Sequence, residues 1–190
     1  SVYGKNNFAF LNQTSGVPIG ISKDQEHFYD ISNQVNKKIQ EGRAVIVFFR
    51  DVKHVEEFKE SSYFSKITNK NVLLPNLTNQ DKDWIARKAA TCGQVTVAPG
   101  IFGRGTDFCC FDDKLEQAGG VHVIQAFVSD DISEEIQIQG RTARQGKSGT
   151  YSLILAESEI VKLGLDAARV QNMQPEECYR PLEIARKKVQ

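Results

Sequence analysis

The strongest constraint on the fold is the alternation of short apolar runs with longer segments of helical periodicity. Residues 44–49 are continuously apolar and are bounded by charged residues, which is typical of a strand that is buried on both faces. Further strands are predicted at 71–74, 94–98, 121–127 and 150–155. Because helical segments separate these strands, the pattern predicts right-handed βαβ units on a mostly parallel sheet.

Helices are predicted between the strands from apolar residues that recur every three or four positions. One helix opens at Ser22 and runs to Gln40, and others cover about 52–61, 78–93 and a segment that begins at Asp131 or Ser133. We expect residues 1–20 to be a connector with an edge strand, residues 21–160 to form one α/β lobe, and residues 161–190 to form a helical tail. Pro175 and Pro181 are expected to break the tail.

Charge and composition limit the classes of function. Lys plus Arg and Asp plus Glu both number 24, so the formal net charge is zero, which argues against a protein that holds nucleic acid mainly by bulk electrostatics. No apolar run approaches the length of about 18 residues that a membrane helix needs. The chain begins with a serine and its only methionine is Met173, so we expect a fragment of a longer protein.

The cysteines and histidines predict no metal site. The four cysteines contain no CxxC pair, and the three histidines are scattered along the chain. Reduced, inert thiols are the simplest interpretation, which predicts a reducing compartment, either cytoplasmic or similar to an organelle stroma.

Two segments carry groups that suit phosphate chemistry. In the GRGTD loop (residues 103–107), Gly103 and Gly105 flank Arg104 directly after a predicted strand, so backbone N–H groups can be exposed in a tight turn. Asp107 can accept a hydrogen bond from a ribose or orient an arginine. The alternative is an ordinary loop with a salt-bridging arginine and a turn-stabilising aspartate.

The arginine segment (residues 137–146, QIQGRTARQG) offers two guanidiniums. If this segment is helical, Gln137, Arg141 and Arg144 share one face, and the adjacent Gly140 lets a ligand approach the backbone. Fork-shaped guanidiniums suit phosphate oxygens. A solvated, arginine-rich helix face is the alternative. Both segments follow predicted strands of one sheet, where ligands of parallel sheets bind, and this joint placement favours a phosphate site.

The order AVIVFFRDV, GRGTD and QxxGRxxRxG resembles motifs IV, V and VI of superfamily 2 helicase-type motors. The chain is similar above all to the second nucleotide-binding lobe of SecA, the protein-translocation ATPase, which has a GRGTD loop, a double glycine before the next strand and a QLRGRSGRQG motif. Here the double glycine is Gly119-Gly120. The likeness extends from about residue 20 to 160 and implies a RecA-like three-layer domain.

This resemblance implies half of an ATP site. Arg144 would be the main γ-phosphate contact and Arg141 would support it, while Gly103, Arg104, Gly105, Asp107, Gln137 and Gly140 would line the nucleotide side. A first lobe of the same protein would hold the P-loop and Mg²⁺, because no GxxxxGK[ST] run occurs in these 190 residues. The isolated chain is therefore expected to be inactive.

The resemblance also implies partners, with a polypeptide as the moved substrate and a membrane channel reached by peripheral attachment. Departures from the SecA pattern at Pro99-Gly100, Phe102, Ala143 and residues 128–132 keep two alternatives open. One is the corresponding lobe of a nucleic-acid helicase, against which the neutral charge counts. The other is a RecA-like module that has lost catalysis and serves as a scaffold.

Overall fold

The computed structural model describes residues 19–109, 112–142, 147–174 and 177–189. Its six strands form one sheet in which every pairing is parallel, in the order β1-β6-β5-β2-β4-β3. The α/β class and the mostly parallel sheet are confirmed. The strands are β1 (Ile19–Ser22), β2 (Ala44–Phe49), β3 (Lys70–Val72), β4 (Val95–Pro99), β5 (Val121–Gln125) and β6 (Gly149–Ala156).

Helices connect the strands and cover both faces of the sheet. They are α1 (His27–Gln40), α2 (Val52–Lys59), α3 (Ser62–Ser65), α4 (Asn79–Ala89), α5 (Asp113–Gln117), α6 (Ile132–Gln139), α7 (Glu157–Lys162), α8 (Ala167–Gln171) and α9 (Tyr179–Val189). Short 3-10 turns cover Asp24–Glu26 and Gly100–Gly103. Within the described residues, no helix is both long and apolar enough to cross a membrane.

Strand β2 shows why its sequence is continuously apolar. All six of its residues are buried, and successive side chains point to opposite faces of the sheet. Val45 and Val47 belong to the cluster formed with α1, α2 and α3, whereas Ile46 and Phe48 belong to the cluster formed with the remaining helices. The domain therefore has three layers, with the sheet between two hydrophobic cores.

The N-terminal boundary differs from the prediction. Residues 19–22 form the edge strand β1, which pairs with β6 in the register Ile19 to Leu153, and the first α-helix begins only at His27. Ser22 is therefore a strand residue rather than a helix start. Its hydroxyl donates to Asp30 of α1, which ties the edge strand to the helix packed over it.

The C-terminal helices pack on the lobe. Val170 of α8 and Leu182 of α9 are almost fully buried and belong to the same core cluster as β2 and β6. Pro181 does not break the tail, because it lies in the first turn of α9, where a backbone N–H has no intrahelical partner. Pro175 lies outside the described residues.

Candidate nucleotide-facing site

The GRGTD loop follows β4 after a single 3-10 turn. After Pro99, the 3-10 turn carries the chain to Gly103, which is buried, while Arg104, Gly105 and Asp107 are exposed. A Cβ on Gly103 would lie 2.4 Å from Cγ1 of Ile138, so the loop packs directly against α6. Gly105 has φ +72° with open space around it, which makes it the turning point of the loop.

Helix α6 ends before the arginines. Asp131 caps its N-terminus by accepting from the Ser133 amide, and the helix closes at Gln139 with Gly140 as its C-cap. The amides of Arg141 and Thr142 then bond to the carbonyls of Ile138 and Gln139, both at 3.0 Å, which is the tighter 3-10 pattern. The predicted single helical face for Gln137, Arg141 and Arg144 is therefore wrong at Arg141.

Arg141 links the two segments. Its Nε–H donates to the Gly103 carbonyl at 2.8 Å, and Nη1 donates to the Thr106 carbonyl at 2.6 Å. Arg141 is only 9% exposed, and its guanidinium donates to these two backbone oxygens within the fold. A planar fork can serve two carbonyls three residues apart, which an ammonium on a flexible stem does less well. The structure thus brings together Gly103, Thr106 and Arg141.

The other predicted site residues have diverse positions. Gln137 is half-buried in the last turn of α6, and Gly140 is buried at its C-terminus. Arg144 lies outside the described residues, together with Ala143, Gln145 and Gly146. The assigned roles of these residues in nucleotide binding stay predictions.

Within the departure at Pro99-Gly100, the glycine has a packing explanation. A Cβ on Gly100 would lie 2.7 Å from Cζ of Phe127, so this ring occupies the space that a larger residue would need. Phe127 in turn carries the Arg50 guanidinium 5.4 Å above its ring centroid. The segments that follow β4, β5 and β2 are therefore joined in one packed edge at the carboxyl end of the sheet.

Sequence reasoning assigned no role to Arg50, which follows β2 inside the AVIVFFRDV run. Its Nη2 donates to the Val128 carbonyl at 3.1 Å and to Glu159 at 2.6 Å. A cavity of about 570 Å³ opens here, lined by Arg50, Lys162, Asp130, Glu159 and neighbouring residues. The position of Arg50 directly after a strand was the available signal, since such residues face the ligand edge.

Two titrating groups show the local electrostatics. The pKa of Asp131 is lowered by hydrogen bonds from Ser133 first, with the positive charges of Arg104 and Arg186 adding to the effect. Burial, with the charges of Arg43 and Lys38, lowers the pKa of His122 to about 3. His122 is therefore neutral, and it lies in β5 hydrogen-bonded to Thr150, which indicates a structural role. Across the described ranges, no group of three or more His, Cys, Asp or Glu residues could hold a metal ion.

No family model matches the chain. It is 31% identical over 153 residues to protein translocase subunit SecA 2 of Rhodopirellula baltica, a match that covers 77% of this chain and 22% of that protein. It is 29% identical to SecA of Bacteroides fragilis, over 73% of this chain and 12% of the relative. For SecA of Halothermothrix orenii the identity is 27%, over 88% and 21%. The chain thus spans between 12% and 22% of these relatives.

Solved structures with the same fold include helicase domains. Domain 2 of the DEAD-box helicase Mss116p, solved bound to an RNA duplex, superposes with a TM-score of 0.57 at 18% identity, covering 80% of this chain and 57% of that one. The C-terminal domain of the DEAD-box protein Dbp5 also gives 0.57, at 13% identity, covering 90% and 96%. At such identities the likeness concerns the fold alone.

Proposed function

Since the chain resembles SecA translocases over most of its length and has the RecA-like fold of helicase C-terminal domains, we propose that it is the C-terminal motor lobe of a SecA-like ATPase. In this role it completes an ATP site whose other half belongs to a first lobe of the same protein. The observation that carries the proposal is the Arg141 bridge, which joins the GRGTD loop to the arginine segment at the carboxyl edge of the sheet.

Arg144 is the proposed contact to the γ-phosphate, with Arg141 in support. An arginine that compensates charge on the transferred phosphoryl group is worth about 10³–10⁵ in rate in well-studied enzymes. Exposed Arg104 and the open backbone at Gly105 suit a polyanion, and Asp107 beside them suits a ribose hydroxyl.

Arg141 also offers a route for conformational coupling. Its Nε and Nη1 protons are donated to the carbonyls of Gly103 and Thr106. If closure on a nucleotide draws this guanidinium to phosphate, those carbonyls lose their donors and the GRGTD loop must rearrange. The bridge therefore makes nucleotide contact and loop geometry depend on one another.

The remaining assignments follow from the proposed family role. ATP binds with Mg²⁺ held by the first lobe, and hydrolysis drives a polypeptide through a membrane channel that the protein reaches from a reducing compartment by peripheral attachment.

The test is Arg144→Ala in the protein that carries both lobes. We expect ATP turnover to fall by about 10³-fold or more while nucleotide affinity stays within a few fold, because Arg144 in this role stabilises charge that develops in the transition state. Arg87→Ala on the exposed side of α4 is the control and should leave both unchanged. Normal ATP turnover by Arg144→Ala would refute the assignment of Arg144 as the γ-phosphate contact.

A nucleic-acid motor lobe is the second candidate, and one observation favours it. Trp84 on α4 is 60% exposed and carries the Lys88 ammonium 4.6 Å from its ring centroid, and exposed aromatics beside cations suit single-strand stacking. Salt-dependent binding of single-stranded RNA or DNA that is lost in Trp84→Ala would support this candidate. A scaffold without catalysis would show no ATP turnover even with both lobes present.

A further inference from the structure

A buried polar network joins the C-terminal helix α9 to α6. Glu135 of α6 is 1% exposed and Arg186 of α9 is 5% exposed, and Nη1 of this arginine lies 2.7 Å from the carboxylate. The Tyr179 hydroxyl donates to the other carboxylate oxygen at 2.5 Å and accepts from Arg186 Nη2 at 3.1 Å. Arg186 also donates to the Ser129 carbonyl, at 3.1 Å.

The network reaches the turn that carries Arg141. The side-chain Nε2 of Gln139 donates to the same Glu135 carboxylate at 3.3 Å, and Gln139 is the last residue of α6. The neighbouring Ile138 packs against Gly103 of the GRGTD loop. One side of the final helical turn is thus held by α9 and the other side by the loop, so the position of residues 140–142 depends on both.

The partners of Glu135 are chemically specific. The Glu135 carboxylate accepts from Arg186 and Tyr179 of α9 and from the side-chain amide of Gln139 in its own helix. The Ser129 carbonyl accepts from Arg186. Burial, with the nearby Glu135 charge, raises the pKa of Tyr179. Hydrophobic replacement of a buried ion pair is often neutral for stability, so such a pair is weak support for a purely stabilising role. Its position one turn before residues 140–142 suits a role in geometry.

We propose that Arg186 and Tyr179 are positioning residues which act through Glu135 to hold the turn at residues 140–142 against the GRGTD loop. The proposal rests on the proposed function only for what this turn does. A displacement of α9 would then be transmitted through Glu135 to the turn at residues 140–142.

Hydrogen exchange on the complete 190-residue chain tests the proposal without requiring ATP turnover. In Arg186→Met, the amides of Arg141 and Thr142, which donate to Ile138 and Gln139, should exchange about tenfold faster or more. The Val95 amide, bonded to Asn69 near the far edge of the sheet, should change much less. Equal acceleration at all three amides would mean a merely structural role and would overturn the proposal.

Two further variants keep the test decisive. Tyr179→Phe removes one hydroxyl and leaves the ion pair, so it should fold and show the same pattern at about threefold or more. If its turn amides exchange at the rate of the unmodified chain, the proposal is wrong for Tyr179. Lys187→Met breaks the exposed pair with Glu183 on the same helix and should change none of these amides.

Turnover by the two-lobe protein is a separate readout. With the positioning role and the proposed function both correct, Tyr179→Phe lowers kcat and leaves KM for ATP within about twofold. Absent turnover in the unmodified protein, with the exchange pattern intact, would refute the proposed function and leave the positioning role standing. A uniform exchange pattern would refute positioning whatever the turnover.

Discussion

Replacing Arg141 should destabilise the fold more than replacing any exposed arginine would. The side chain is 9% exposed and donates to two carbonyls, those of Gly103 and Thr106. A hydrogen bond that involves a charged group contributes about 1.5–3 kcal/mol, so two such bonds set an upper limit of about 3–6 kcal/mol. The Thr106 contact is only part-buried and its carbonyl can be rehydrated. We therefore expect Arg141→Met to lower the free energy of unfolding by about 2–4 kcal/mol.

Urea unfolding of the complete chain, followed by circular dichroism, measures this effect. Arg141→Lys should recover only part of the loss, because an ammonium cannot reproduce the two-pronged donation. Arg87→Met on the exposed side of α4 is the matched control and should lie within about 0.5 kcal/mol of the unmodified chain. If Arg141→Met lowered the free energy of unfolding by no more than this control does, the bridge would be refuted as the element that joins the two segments.

Two further predictions concern the loop and a buried histidine. Gly103→Ala places a Cβ 2.4 Å from Ile138 Cγ1 and should lower the free energy of unfolding by about 1–3 kcal/mol. The double variant with Ile138→Ala should lose less stability than the sum of the losses in the two single variants. Additive losses in this double-mutant cycle would contradict the packing. His122 has its pKa lowered to about 3, so the unfolded chain binds the proton first as pH falls. The free energy of unfolding should therefore decline by about 1.4 kcal/mol per pH unit as the pH falls below 6.5, which a falling urea midpoint would show. His122→Gln should make the midpoint depend less on pH, whereas the exposed control His54→Gln should leave this dependence unchanged.

The sheet could be predicted from the sequence because buried parallel strands must be apolar on both faces. This condition identified β2, β4, β5 and β6, and the segments between the strands predicted α1, α2, α4 and α6, whereas the short helices α3, α5 and α7 were not predicted. An edge strand was expected within residues 1–20, but the bounds of β1 could not be found this way, since Ile19–Ser22 is short and only half-buried, and its pairing with β6 involves residues far along the chain.

The candidate site was predictable in its segments and not in its contacts. The glycines and arginines of residues 103–107 and 137–146 identified two segments that the structure brings into contact, and their role in phosphate binding stays a prediction. The end of α6 at Gln139 was missed because the Thr142 hydroxyl, which donates to the Gln139 carbonyl, offers the backbone an alternative to helix continuation. The ion pair between Glu135 and Arg186 joins residues 51 positions apart and leaves no periodic signal.

The central claim is that this chain supplies half of an ATP site, and its activity with and without the other half tests this claim most directly. The isolated 190-residue chain should show no ATP turnover above background and only weak nucleotide binding, while the protein with both lobes should hydrolyse ATP. Robust hydrolysis by the purified isolated chain would contradict the account.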